Sequence, residues 1–261
     1  MTRDPDKAAL ALHRFGFGPR AGSIAAIAAD PQGAVAADLD RANAGQIVDP
    51  GLLSSAAAFC SVFEFNAARA AQAKLARRGL VPSDSKTEPE SAADEKPGSD
   101  EPRPVRLPQQ IVLSEAKARI DAARNAEIGF VERLVWFWSN HFCVSLDTSV
   151  MAGGYEREAL RPHVLGHFVD LLGAADSHPA MLLYLNDAQS IGPDSVAGIN
   201  RGKGLNENFA REILELHTLG VRTGYPGRRH QFCQGADRLD IAAAGHRPRH
   251  RRRVCIHPAS A

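Results

Sequence analysis

From Phe130 to Phe142 the large apolar side chains fall at helical spacing, with Val131, Leu134, Val135, Trp138 and Phe142 recurring three or four residues apart. This pattern predicts a helix over about 111–144, the most apolar in the chain. A second spans 155–172, where Leu160, Val164, Phe168, Leu171 and Leu172 share one side and Pro162 sits near the first turns. Pro179 opens a short helix through Leu185. The last runs over 207–219, with Asn206 as its cap and Gly220 as its stop. Upstream, residues 6–41 read as two short helices parted by the turn residues Gly16, Gly18 and Pro19, and a third helix covers about 52–80. Val, Ile, Thr and Tyr rarely alternate at period two, so the prediction is an all-α, multi-helix, bundle-like domain.

Three stretches break the pattern. Residues 82–108 lose nearly every large apolar side chain and are rich in Ser, Glu, Asp, Lys and Pro, the composition of a flexible linker. Residues 192–204 read as a polar, glycine-containing loop. From residue 222 onward the chain holds nine Arg and four His but no Lys or Glu, with Asp237 and Asp240 its only acids. That tail carries +7, against −6 for residues 1–221 of a chain whose total is +1. The domain reading is therefore an N-terminal helical segment (1–81), a linker (82–108), a helical core (109–225) and a basic, disordered tail (226–261).

Hydrophobic residues make up 44% of the 261, enough for a buried core. The N-terminus lacks the apolar segment of a secretory signal, and no run approaches the length of a membrane span. Cys60, Cys143, Cys233 and Cys255 are far apart with no Cys-x-x-Cys pair, which argues against a disulfide framework or a zinc ribbon. Cys60 and Cys143 read as reduced core residues. The cytoplasm is the expected location, with no membrane partner.

Four segments together resemble the bacterial family catalogued as domain of unknown function 1800: Ala9–Pro19, Glu132–Phe142, His178–Leu185 and Leu205–Gly220. The resemblance covers roughly residues 7–225 apart from the linker. Two departures stand out: Ser139 where family members often have a second histidine, and Leu185-Asn186-Asp187 where they usually read Leu-Asp-Asn. The resemblance implies a fold and no reaction. Family members also continue past this length with a segment like Asp-Val-Thr-Ser-Phe-Ala-Lys-Ala-Leu-Thr-Gly-Trp. His230–Asp240 can be written in synonymous codons whose next frame reads Thr-Ser-Phe-Ala-Lys-Ala-Leu-Thr-Gly-Trp. The expectation is thus a frameshifted, truncated member, incomplete at its C-terminal side and compromised as an enzyme. The apolar faces of 130–142 and 209–220 would then lack part of their cover.

The candidate chemistry centres on His141, Glu212 and His217, carboxylate and imidazole groups on helices that could face one another and hold a transition metal. Glu212 and His217 are five residues apart, which does not place them on one α-helical face, and neither Glu-x-x-His nor His-Glu-x-x-His occurs there. His163 and His167 have the spacing of a two-histidine face without evident further ligands. Arg211, four residues from both Glu207 and Glu215, reads as an ion-pair ladder. Trp136, Trp138 and Phe142 read as core. The basic tail would attract phosphate in a salt-dependent way, but it lacks interleaved aromatics and a nucleic-acid fold, so no selected nucleic-acid partner is expected. Two classes stay open: a metal-dependent or hydrolytic enzyme using the His/Glu cluster, and a non-catalytic helical scaffold or interaction protein.

Overall fold

The computed structural model describes residues 3–78, 106–146, 149–187, 196–201 and 207–221, and every regular element among them is helical. α1 (Pro5–Phe15) starts behind Asp4, whose carboxylate accepts the Lys7 N–H at 3.0 Å. The stretch expected to hold two helices holds three. A short α2 (Ser23–Ile27) precedes α3 (Pro31–Asp40) because Pro31 cannot continue a helix and Asp30 caps a new one, accepting from Gly33 N at 2.8 Å. α4 (Ser55–Arg77) is capped in the same way by Ser54.

The expected 111–144 helix is two helices. α5 (Leu107–Asn125) begins inside the predicted linker, with Pro108 in its first turn, and α6 (Phe130–His141) follows a break at 126–129. Gly129 causes the break: its φ of +89° is left-handed, which costs glycine little and other residues more. Periodicity hid this, because both halves are apolar on the side that is buried.

The predicted 155–172 helix is also divided. α7 opens as Ala152–Tyr155, widens into a π-helical Glu156–Leu160 and closes in a 3-10 turn, Arg161–His163. Pro162 has no N–H to offer the preceding turn, which favours such irregular winding. After Gly166 the chain restarts as α8 (Phe168–Ser177), followed directly by α9 (Pro179–Tyr184). Within the predicted 192–204 loop, Val196–Arg201 form a short α10. α11 runs from Glu207 to Glu212 and widens into a π-helical Ile213–Thr218 before Gly220 stops it at a φ of +83°. The Asn206 cap, the linker over 82–105 and the tail over 226–261 lie outside the described residues.

α6 ties two cores together. Its first half places Val131 and Val135 against Ala44 and Val164. Its last residues lead into Phe142, which is fully buried with Tyr155, Leu160, Leu171, Met181, Phe209 and Ile213. Each such side chain removed from water stabilises the fold by about 1.5–3 kcal/mol. Polar groups from distant elements fix the ends of α6 and its neighbours. Asp38 of α3 accepts the Phe130 N–H at 2.9 Å, capping α6 where Gly129 offers no side chain. Arg133 reaches back to the carbonyls of His13, Arg14 and Gly16 at the end of α1, while Arg20 donates to Ala123 O near the end of α5.

Exposed apolar side chains are spread over most of the described helices, among them Leu113 of α5 (59%), Phe137 of α6 (60%), Val169 of α8 (69%) and Leu216 of α11 (59%). Among the described residues no helix is long and apolar enough to cross a membrane.

Candidate functional site

The structure brings His141 and His217 together and adds an acid that sequence reasoning did not select. His217 sits in the π-helical turn of α11, and Phe209, Ile213 and His217, each four residues apart, lie on its buried side. Its Nδ1 lies 2.9 Å from Oδ1 of Asp176, near the end of α8. Both side chains are nearly buried, at 7% and 10% exposed, so the pair interacts with little screening from solvent. Asp176 left a weak signal in the sequence: a lone carboxylate beside Ala174 and Ala175, one helical turn after Leu172.

His141, the last residue of α6, has its Nε2 3.2 Å from the His217 carbonyl oxygen, which can only accept, so Nε2 carries the proton. The two imidazoles are 6.2 Å apart between centroids, and the buried Phe142 ring meets both edge-on, at 4.6 and 5.1 Å. Trp138 packs on His141 and on Phe168, completing an aromatic wall. Each imidazole is therefore anchored through one nitrogen. In the neutral ring this leaves His141 Nδ1 and His217 Nε2 as the basic nitrogens.

Glu212 does not join them. Its ionic partner is the adjacent Arg211 at 3.7 Å, and Arg211 in turn donates to Asn208. Nor do His163 and His167 share a helical face: the first ends the 3-10 turn of α7, and the second lies beyond the break, at the start of α8. Among the described residues no group of three or more His, Cys, Asp or Glu is arranged to hold a metal ion.

A second imidazole–carboxylate contact lies where α4, α7 and α9 meet. His178 Nδ1 accepts the Ala180 N–H, so Nε2 carries the proton, 3.4 Å from Glu158 Oε2. The other oxygen of Glu158 accepts the Ser55 N–H at 2.7 Å. Burial raises the carboxyl of Glu158, but the hydrogen bonds from His178 and Ser55 outweigh it and leave the group below its ordinary value. Tyr155 packs at a tilt against His178 and donates to the Phe142 carbonyl, and burial pushes its hydroxyl well above the usual phenol range.

Ser139 donates to Glu156 at 2.7 Å, and so takes part in a buried ionic network instead of the imidazole pair. Asn186 adopts a left-handed φ of +59°, a conformation that asparagine tolerates better than most residues. Asp187 beside it is buried.

Three of the four segments that carry the family resemblance meet on α6. Ala9–Pro19 packs on the first half of α6, where Phe15 meets Phe130 and Phe17 meets Trp136. The second half of α6 meets the last helix through His141 and His217. A family model described as a protein of unknown function, DUF1800, matches residues 10–228. Comparison with curated proteins and with solved structures gave no match.

Proposed function

The chain belongs to the DUF1800 family, a group with no established activity, and we propose that it carries a hydrolytic acid–base centre built on His217. One observation carries this reading: the buried Asp176 carboxylate holds Nδ1 of His217, which fixes the tautomer and leaves Nε2 as the proton acceptor. A carboxylate in that position also stabilises the imidazolium formed when a water or hydroxyl nucleophile gives up its proton. The site of His217 on a π-helical turn supports the assignment, because such turns recur at functional positions. His141 is a second anchored base on the same aromatic wall.

A second reading rests on the same anchors. Metal-bound histidines characteristically hand their other nitrogen to a carboxylate or a backbone carbonyl, and His217 and His141 do each of these. On that reading His141 and His217 would be two ligands of a transition metal, which would supply Lewis-acid activation of water, although among the described residues no third ligand joins them.

The test uses full-length protein with p-nitrophenyl acetate and p-nitrophenyl phosphate as probes, together with metal analysis. The expected result is hydrolysis that falls by about 10²–10⁴-fold in His217→Ala. Asp176→Asn should alter the pH profile of the rate while leaving the fold intact. Stoichiometric metal lost in both His141→Ala and His217→Ala would favour the second reading. Absence of hydrolysis and of metal, with the variants only lowering thermal stability, would leave the scaffold class and overturn both. Cys60 and Cys143, expected in the core, are both exposed free thiols; on the sequence reading alone we place the protein in the cytoplasm.

A further inference from the structure

A cavity of about 470 Å³ opens between α5, α6 and α7, a volume typical of small-molecule sites. It adjoins the opposite face of α6 from the histidines. Trp136, Ser139, Asn140 and Cys143 line it, whereas Trp138, His141 and Phe142 fall on the other side at about 100° per residue. Much of the remaining wall is apolar, including Ile47, Val112 and Val144.

The wall's charges differ in how well they are satisfied. Both oxygens of Glu115 accept from Arg157. Glu156 is saturated too, with Arg161 on one oxygen and Ser139 on the other. Arg119 is the exception. Its Nε lies 2.8 Å from Glu156 Oε2, but the N–H is not directed for a hydrogen bond, and no other described residue accepts from the guanidinium. The group instead lies over the Trp136 ring, 4.8 Å from its centroid, with the side chain 38% exposed. The indole Nε1 of Trp136 is itself buried with no partner. Among the charged groups of this wall the spare hydrogen-bonding capacity is therefore on the Arg119 guanidinium, while the carboxylate oxygens of Glu115 and Glu156 are in use.

We propose that this cavity binds a small monocarboxylate with an apolar body. Arg119 takes the carboxylate through its free N–H groups, a charge-assisted and potentially two-point contact. The apolar body lies along Ile47, Val112 and Val144. A single negative charge fits best, because Arg119 is the wall's cation without a directed hydrogen bond, while a polyanion would also meet the nearby carboxylates of Glu115 and Glu156. The site is separate from the imidazole pair and does not depend on its chemistry.

Titration calorimetry on the full-length chain tests the proposal, with octanoate as probe and octanol as its neutral counterpart. Octanoate should bind saturably and more tightly than octanol. Arg119→Gln should weaken octanoate by about tenfold or more and leave octanol unchanged. Ala116→Phe places bulk into the cavity from an exposed position of α5, so it should abolish binding of both probes with the circular dichroism unchanged. Equal affinity for octanoate and octanol, or full octanoate binding in the Ala116→Phe protein, would overturn the assignment.

Discussion

Arg161 holds Glu132 in a buried two-point pair, with Nη1 2.8 Å from Oε1 and Nη2 3.1 Å from Oε2. The same guanidinium reaches Glu156 and the Gly45 carbonyl, and it is 1% exposed. Ionic groups this deep do little for net stability as a set, since desolvation offsets their attraction. Removing one member is another matter. Arg161→Ala leaves Glu132 buried without its cation and Glu156 with only Arg119 beside it, and should cost about 3–5 kcal/mol in urea unfolding. A loss below about 1 kcal/mol would mean that water reaches the network.

Asp38 tests a cap supplied from another helix. Its carboxylate serves the N–H groups at the start of α6, so Asp38→Ala should destabilise the fold by about 0.5–2 kcal/mol. Asp38→Asn keeps an acceptor and should recover much of that loss. Equal losses in the two variants would show that charge, and not the cap, is what matters there.

Gly16 is held by space. Its backbone is extended, with φ −113° and ψ −161°, so any residue could adopt it, but an added Cβ would overlap the Ile128 carbonyl oxygen. Gly16→Ala should force apart the end of α1 and the start of α6, at a cost of about 1–3 kcal/mol. Gly22→Ala is the contrast: nothing lies near its Cβ position, and only its left-handed φ of +81° resists. A thermal melt of each separates crowding from backbone strain.

Glu158 gives the fold an acid limb. Its carboxyl is depressed in the folded state, so its contribution is present above the ordinary value of 4.5 and is lost as pH falls through the lower folded value. Wild type should exceed Glu158→Gln in stability at about pH 6, and the gap should close as the pH falls below the depressed folded value. A gap that is constant with pH would show that the carboxylate is not what holds Ser55 and His178.

The helices themselves were legible in the sequence, because apolar spacing reports burial. Their breaks were less so. Gly129 and Gly166 interrupt periodic runs whose apolar positions continue on both sides, and spacing alone carries no sign of a left-handed φ or a π turn. His141 and His217 were found because imidazoles in apolar helices stand out. Asp176 was not, since its role comes from packing against a helix 41 residues further on. Five-residue spacing placed Glu212 and His217 on different faces of an α-helix. The winding there is partly π-helical, yet Glu212 still pairs with Arg211. The Arg119 cavity left no sequence signal, because it is a property of three helices together.

The contacts from Arg133 to the end of α1 span 117–120 residues. During synthesis, α1 leaves the ribosome long before the helix that caps it, by about ten seconds at ordinary elongation rates. Asp38 waits similarly for Phe130, 92 residues later. The first helices made are thus among the last to be secured, and loop closure over that distance must precede any gain from the contacts. Refolding of the purified chain should accordingly be slower than the rule for short helical bundles, and the N-terminal third should be the stretch most open to proteases and chaperones while the rest is still emerging.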